Sequence, residues 1–218
     1  MPRFIERIIG PRVDQAELRR HGLKYGLPGG LLLVARIMLL VSLFLPYWQM
    51  DLVAPQYPNN LHLTAFVNQL TGDVEEIDGL NHYIGMRPLN EAAQIERSIG
   101  VYAMIAFVVL LELASFIHSR WAVLLVIPVM FFPFVFLIDL HLWMSHFGQN
   151  LDPNAPLSNA VEPFVPPVLG TGMVGQFKTV AWPGVGLILS AIASLVMLLA
   201  LFFHRRAYLP LVKASKKA

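Results

Sequence analysis

The sequence predicts an all-α integral membrane protein with four transmembrane helices, both termini cytoplasmic and two long periplasmic loops. Three observations predict it. Hydrophobic residues make up 56% of the 218 and charged residues only 14%, against about a quarter charged in soluble domains. The apolar residues gather in four blocks of the roughly 20-residue length that a bilayer core requires. Lys and Arg concentrate on one side of those blocks, which sets orientation. The chain has no cysteine, which excludes disulfides, thiolate metal sites and thiol catalysis.

A basic arm comes first, over residues 1–30, with Arg3, Arg7, Arg12, Arg19, Arg20 and Lys24. Its segment PRVDQAELRRHGLKYG reads as partly helical and lying on anionic headgroups, or else as a docking arm for a partner. The membrane domain spans 31–203. Its helices are expected at 31–48, 99–117, 121–144 and 180–203, with Tyr47, Trp48, Tyr102, Trp121, Trp143 and Trp182 near the ends, where amphipathic rings sit. The first span is too long, and its basic flank too extended, for a cleavable signal, so it reads as an anchor. A basic tail, 204–218, carries Arg205, Arg206, Lys213, Lys216 and Lys217. The two long loops hold only Arg87, Arg97 and Lys178. They therefore face the periplasm or exterior, with both termini cytoplasmic.

The first outer loop covers 49–98 and is acidic, with Asp51, Asp73, Glu75, Glu76, Asp78, Glu91 and Glu96. Within it LHLTAFVNQL alternates with period two, Leu61, Leu63, Ala65 and Val67 on one side and His62, Thr64, Phe66 and Asn68 on the other, which predicts a short strand. Thr71-Gly72-Asp73 turns the chain, and the carboxylates of DVEEID read as an acidic surface turn. Asn90 and Glu91 are expected to cap and begin a helix that runs into the second span. The second outer loop, 146–178, contains five prolines and reads as an extended, proline-stiffened strap. Its GTGMVG lacks the Lys-Ser/Thr of a phosphate loop, so no nucleotide partner is expected. Nothing points to nucleic acid.

Two ionisable residues stand inside spans. Arg36 and Glu112 lie at matching depths, about six residues from the cytoplasmic ends of the first two spans. That predicts an ion pair registering the two helices. A proton path is disfavoured because a lone pair is no relay. Asp139 and His141, two apart in the third span, point to different faces.

On the outer side, His62, His82, Met86 and Met173 form a set of imidazole and thioether ligands suited to copper in an oxidising compartment. Their spacing has no specificity of its own, and methionines are common gap fillers. His82 and Met86 would share a face if the helix continued, but Gly85 argues against that. Bis-His haem is disfavoured because the histidines sit at membrane boundaries. No catalytic triad, HExxH or nucleophile elbow occurs, so the chain is not read as an enzyme. A transporter is disfavoured for want of an inverted repeat. The segment NHYIGM reads as a folded element that docks onto a metal or a larger protein through Asn81, Tyr83 and Ile84.

Four runs carry a resemblance: WQMDLVAPQYP from Trp48 with LHL from Leu61, GDVEEIDGLNHYIGM from Gly72, LDPNAP from Leu151, and GTGMVGQF from Gly170. They resemble a family of small four-span bacterial membrane proteins associated with gene clusters for nitrous oxide reductase maturation and copper handling. The resemblance reaches from the first helix to the fourth and leaves out about residues 1–25. It implies an accessory or assembly role in copper-enzyme maturation, through gene neighbourhood, and supplies no catalytic residues. The alternative is a structural subunit of a larger respiratory or photosynthetic membrane complex.

Overall fold

A computed structural model describes residues 9–10, 13–157, 159–174 and 177–215; most of the first twelve residues of the basic arm lie outside them. Four helices are long and apolar enough to cross a membrane. A short helix α1 (Gln15–Arg20) precedes α2 (Gly22–Ser42). The other three long helices are α4 (Gln94–Phe116), α5 (Ala122–Gln149) and α6 (Val185–Ser215). Between the first and second comes β1 (Trp48–Val53), β2 (Leu61–Ala65), β3 (Leu70–Gly72) and α3 (Val74–Ile84). Between the third and fourth comes β4 (Gly170–Val174) and β5 (Phe177–Pro183).

The protein is therefore not all-α. A five-stranded antiparallel sheet of order β3-β2-β1-β5-β4 joins segments of both long loops. The reason is period-two patterning beyond LHLTA. In WQMDLV, Trp48, Met50 and Leu52 are buried, whereas Gln49, Asp51 and Val53 point the other way, the alternation of a half-buried strand. The proline strap becomes strand from Gly170 onward. The fourth long helix starts at Val185 rather than 180, because Val180–Pro183 pair with β1. The expected helix at Asn90 is a single 3-10 turn, Leu89–Glu91. Ala92 is then extended and Ala93 takes φ 51°, so α4 begins afresh at Gln94. The acidic DVEEID segment is the start of α3, with Glu75 and Glu76 in its first turn, where carboxylates favour the helix dipole.

The chain divides into two units. One takes in the chain up to Val41, Ala103–Phe132 and the chain from Leu189 onward. Its packed positions include Ala35, Ala114, Ala193 and Ala200, small residues that let helix backbones approach, around Leu39, Met104, Leu111 and Met197. Ser194 Oγ donates to the Met130 carbonyl at 2.8 Å. Arg36 of α2 and Glu112 of α4 are ion-paired. Near the chain ends of this unit, Tyr208 stacks on His118 at 4.3 Å and lies 5.7 Å from Tyr25. His204 Nε2 donates to the Ile117 carbonyl at 2.9 Å.

The other unit is Ser42–Tyr102 with Pro133–Ile188. The inner sheet face (Trp48, Met50, Leu52, Leu61, Leu63, Ala65 and Ala181) packs with Val74 and Ile77 of α3. Tyr47 is fully buried, hydrogen-bonded to Ser42 at 2.8 Å and set against Phe136 at 5.0 Å. Its backbone ties three segments together: Tyr47 N–H donates to Ala65, while Tyr47 and Pro46 carbonyls accept from Gly184 and Gly186.

The Arg36–Glu112 pair is in apolar surroundings, with Arg36 only 13% exposed. Removing one partner strands a charge, whereas removing both does not. Glu112→Ala is therefore expected to destabilise by about 3 kcal/mol and Arg36→Met/Glu112→Leu by much less. A double-mutant cycle on detergent-solubilised protein checks this; additive single effects would show that the pair does not couple.

Candidate interaction surface

The outward face of the sheet is built from the register of the strands. Residues paired across strands point to the same side, so His62, Asp51, Val180 and Thr171 form one row. Gln49 lies opposite Thr64 and Trp182, and Val53 opposite Lys178, which in turn faces Met173. On this face Val53, Met173 and Trp182 are exposed large apolar side chains. Trp182 Nε1 donates to Gln49 Oε1 at 3.2 Å, holding the indole across the sheet.

At its centre His62 Nδ1 lies 2.6 Å from Asp51 Oδ1. The hydrogen bond to Asp51 and then its charge raise the imidazole above its usual value. His62 is fixed from a second side: its N–H donates to Asp73 Oδ2 at 2.7 Å, and its carbonyl accepts from the Asp73 N–H at 2.8 Å. Gly72 takes φ 102° to close this turn, directly against the His62 carbonyl. The Asp51–His62 and Gln49–Trp182 contacts were not read from the sequence. The signal was there in the alternation of WQMDLV, obscured by an aromatic pair that also suits a membrane boundary.

The four expected metal ligands do not converge. His62 and Met173 share the outward face but sit on strands separated by β1 and β5, about 14 Å apart at ordinary strand spacing. His82 belongs to α3, which packs on the opposite, inner face. Met86 is not on the helical face of His82, because the helix ends between them. Among the described residues, no group of three or more His, Asp or Glu is placed to hold a metal ion.

That helix ending explains the NHYIGM segment. Gly85 takes φ 81°, its N–H donates to His82, and Met86 N–H donates to Asn81 at 2.9 Å, the paired bonds of a left-handed helix cap. Asn81 and Ile84 are buried and contribute to this fold rather than to a free docking face; of the three expected docking residues Tyr83 alone is exposed, at 55%. The segment does dock, but onto the chain's own second loop. Gly85 carbonyl accepts from Asp152 N–H at 2.8 Å, and Tyr83 carbonyl from Leu157 N–H at 2.9 Å. Further along, Phe164 N–H donates to Gly148, and Trp48 Nε1 to the Val168 carbonyl. The strap is thus fastened at four points. Asp78 caps the 3-10 turn by accepting from Leu89 N–H at 2.7 Å, and burial pushes its carboxyl upward.

No family model matches the chain, and no curated protein matches it.

Two outcomes are expected. A Cβ at Gly85 would meet the Asp152 backbone and take a left-handed φ, so Gly85→Ala should cost at least about 1 kcal/mol and release the strap. Limited proteolysis over 150–169 reads that release. The His62 pKa, measured by NMR, should lie above the ordinary 6.5 and fall toward it in Asp51→Asn. Because the folded value is raised, the stabilisation is complete below the unfolded value and is lost as pH rises through the folded one. An unchanged His62 titration in Asp51→Asn would remove the ion pair from the account.

Proposed function

We propose that this chain is a non-catalytic accessory or assembly protein of the bacterial inner membrane, acting at its outer face in copper-enzyme maturation. The observation that carries this reading is the outward sheet face. Its inner face is consumed by packing against α3, while Val53, Met173 and Trp182 stand exposed on the same face as a held imidazole. Exposed apolar groups ringed by polar ones mark protein-contact surfaces. Four crossings return both termini to one side, and the excess of Lys and Arg outside the two long loops favours the cytoplasm for that side. The sheet then faces the periplasm. The copper assignment rests on the family resemblance and the ligand chemistry. His62 and Met173 are too far apart to chelate one ion, so each would offer a single ligand that a client completes.

A second reading, a structural subunit of a larger respiratory or photosynthetic complex, is favoured by Glu112. Its side chain is 49% exposed on a helix otherwise suited to lipid, and a half-exposed carboxylate at that depth is costly unless covered. A neighbouring subunit's helix would cover it.

Co-purification from native membranes in mild detergent separates the readings. Under the first, a client exported protein accompanies the chain, and Val53→Asp/Met173→Asp lowers its recovery at least about tenfold, since a desolvated unpaired charge costs 2 kcal/mol or more. Under the second, a stoichiometric complex survives those changes and is lost in Arg36→Met/Glu112→Leu, which removes the carboxylate without stranding the Arg36 charge. Recovery of the chain alone from native membranes sinks both.

A further inference from the structure

A groove of about 550 Å³ opens between the start of α2 and the later part of α6, lined by Leu23, Lys24, Leu27, Phe203, Arg206 and Ala207. All six belong to the same unit. We infer that this groove binds an anionic phospholipid, its phosphodiester between Lys24 and Arg206 and its first acyl carbons against Leu23, Leu27 and Phe203.

The spacing on each helix makes the groove amphipathic. Leu23 and Leu27 are one turn apart on α2, with Lys24 beside them. Phe203 and Ala207 are one turn apart on α6, with Arg206 beside them. Ala207 is buried and small, and it packs with Tyr25 and Tyr208 beneath the groove, so the floor stays low. Leu23 is 87% exposed and Leu27 39%, apolar surface that an acyl chain would cover.

Charge and depth select the ligand. Both cations are exposed, and among the described residues neither makes an ion pair. The α6 helix has 31 residues, about 46 Å at the α-helical rise, against a hydrocarbon core near 30 Å. Counted from Val185, where the helix leaves the sheet, Phe203 comes at the far edge of the hydrocarbon and Arg206 one turn beyond, among headgroups. Basic pockets between spans at this level recognise anionic headgroups. A zwitterionic headgroup brings its own ammonium next to Lys24 and Arg206 and gains less.

The full-length chain is purified in neutral detergent and its thermal unfolding is followed during titration with phosphatidylglycerol, phosphatidylcholine of the same acyl chains, or inorganic phosphate. Phosphatidylglycerol is expected to raise Tm, and the other two to leave it unchanged. Lys24→Gln/Arg206→Gln should weaken the apparent affinity for phosphatidylglycerol at least about tenfold. Arg205→Gln/Lys213→Gln, with the same loss of charge off the groove, should keep it. Equal shifts with phosphatidylcholine, a shift reproduced by inorganic phosphate, or equal losses in the two double variants would overturn the site. Leu27→Trp retains both cations but fills the groove. It should lower the bound phosphatidylglycerol seen by native mass spectrometry, and unchanged binding there also overturns the inference, whether or not the charge variant folds.

Discussion

The pairing of β1 with β5 is the interaction on which the sheet-bearing unit depends. It runs in register from Trp48 opposite Pro183 to Val53 opposite Lys178, joining segments some 130 residues apart in the chain. Each loop alone is incomplete. The first supplies three strands with β1 as a bare edge; the second supplies a two-stranded hairpin, which is marginal by itself in water. Pairing covers the β1 and β5 edges together, leaves β3 and β4 at the margins and makes β1 a central strand. It also brings Gln49 to Trp182 and sets Trp48 where its indole N–H reaches Val168. The outward surface is therefore a product of a long-range contact, not of either loop.

The rest of the second loop follows from what proline lacks. Between residues 150 and 169 stand Pro153, Pro156, Pro163, Pro166 and Pro167, none with an N–H to satisfy. An extended segment of this composition needs few partners, and the N–H groups of Asp152, Leu157 and Phe164 are met by carbonyls of Gly85, Tyr83 and Gly148. The glycine that ends α3 serves the helix and the strap together: its left-handed φ closes the cap, and its missing Cβ admits the Asp152 backbone.

How much of this was legible depends on the range of the interaction. The four long helices could be read because hydrophobic blocks are local. LHLTA could be read because its alternation is uninterrupted. The Arg36–Glu112 pair could be read because helical rise converts sequence position into depth. By contrast, β1 begins with Trp48, just after Tyr47, and an aromatic pair after a span also suits a membrane boundary. In β5 the residues Val180, Ala181 and Trp182 merge with the apolar run of α6, so hydropathy extends the helix over them. The two glycines and the sequel of GTGMV hide a strand under a turn signature. The convergence expected of His62, His82, Met86 and Met173 was a statement about distance made from residue type alone. Two of them fall on separated strands of the sheet, one on α3 and one just past its end.

The two ion pairs show how the same contact differs with its surroundings. Arg36 and Glu112 lie within helices suited to hydrocarbon, where an uncompensated charge is costly, so the pair constrains which helices can meet. Asp51 and His62 lie on a surface open to water, where such a pair adds between nothing and about 1 kcal/mol. The sheet is held by the apolar inner face, and it has no need of that pair for stability. What Asp51 does is fix the ring. With a carboxylate accepting at Nδ1, a neutral imidazole carries its proton there and keeps its lone pair at Nε2. The backbone bonds to Asp73 fix the strand that bears it. An exposed imidazole oriented by a carboxylate, on the same face as an indole held by Gln49, is the physical ground on which we propose a function for this protein from its outward face.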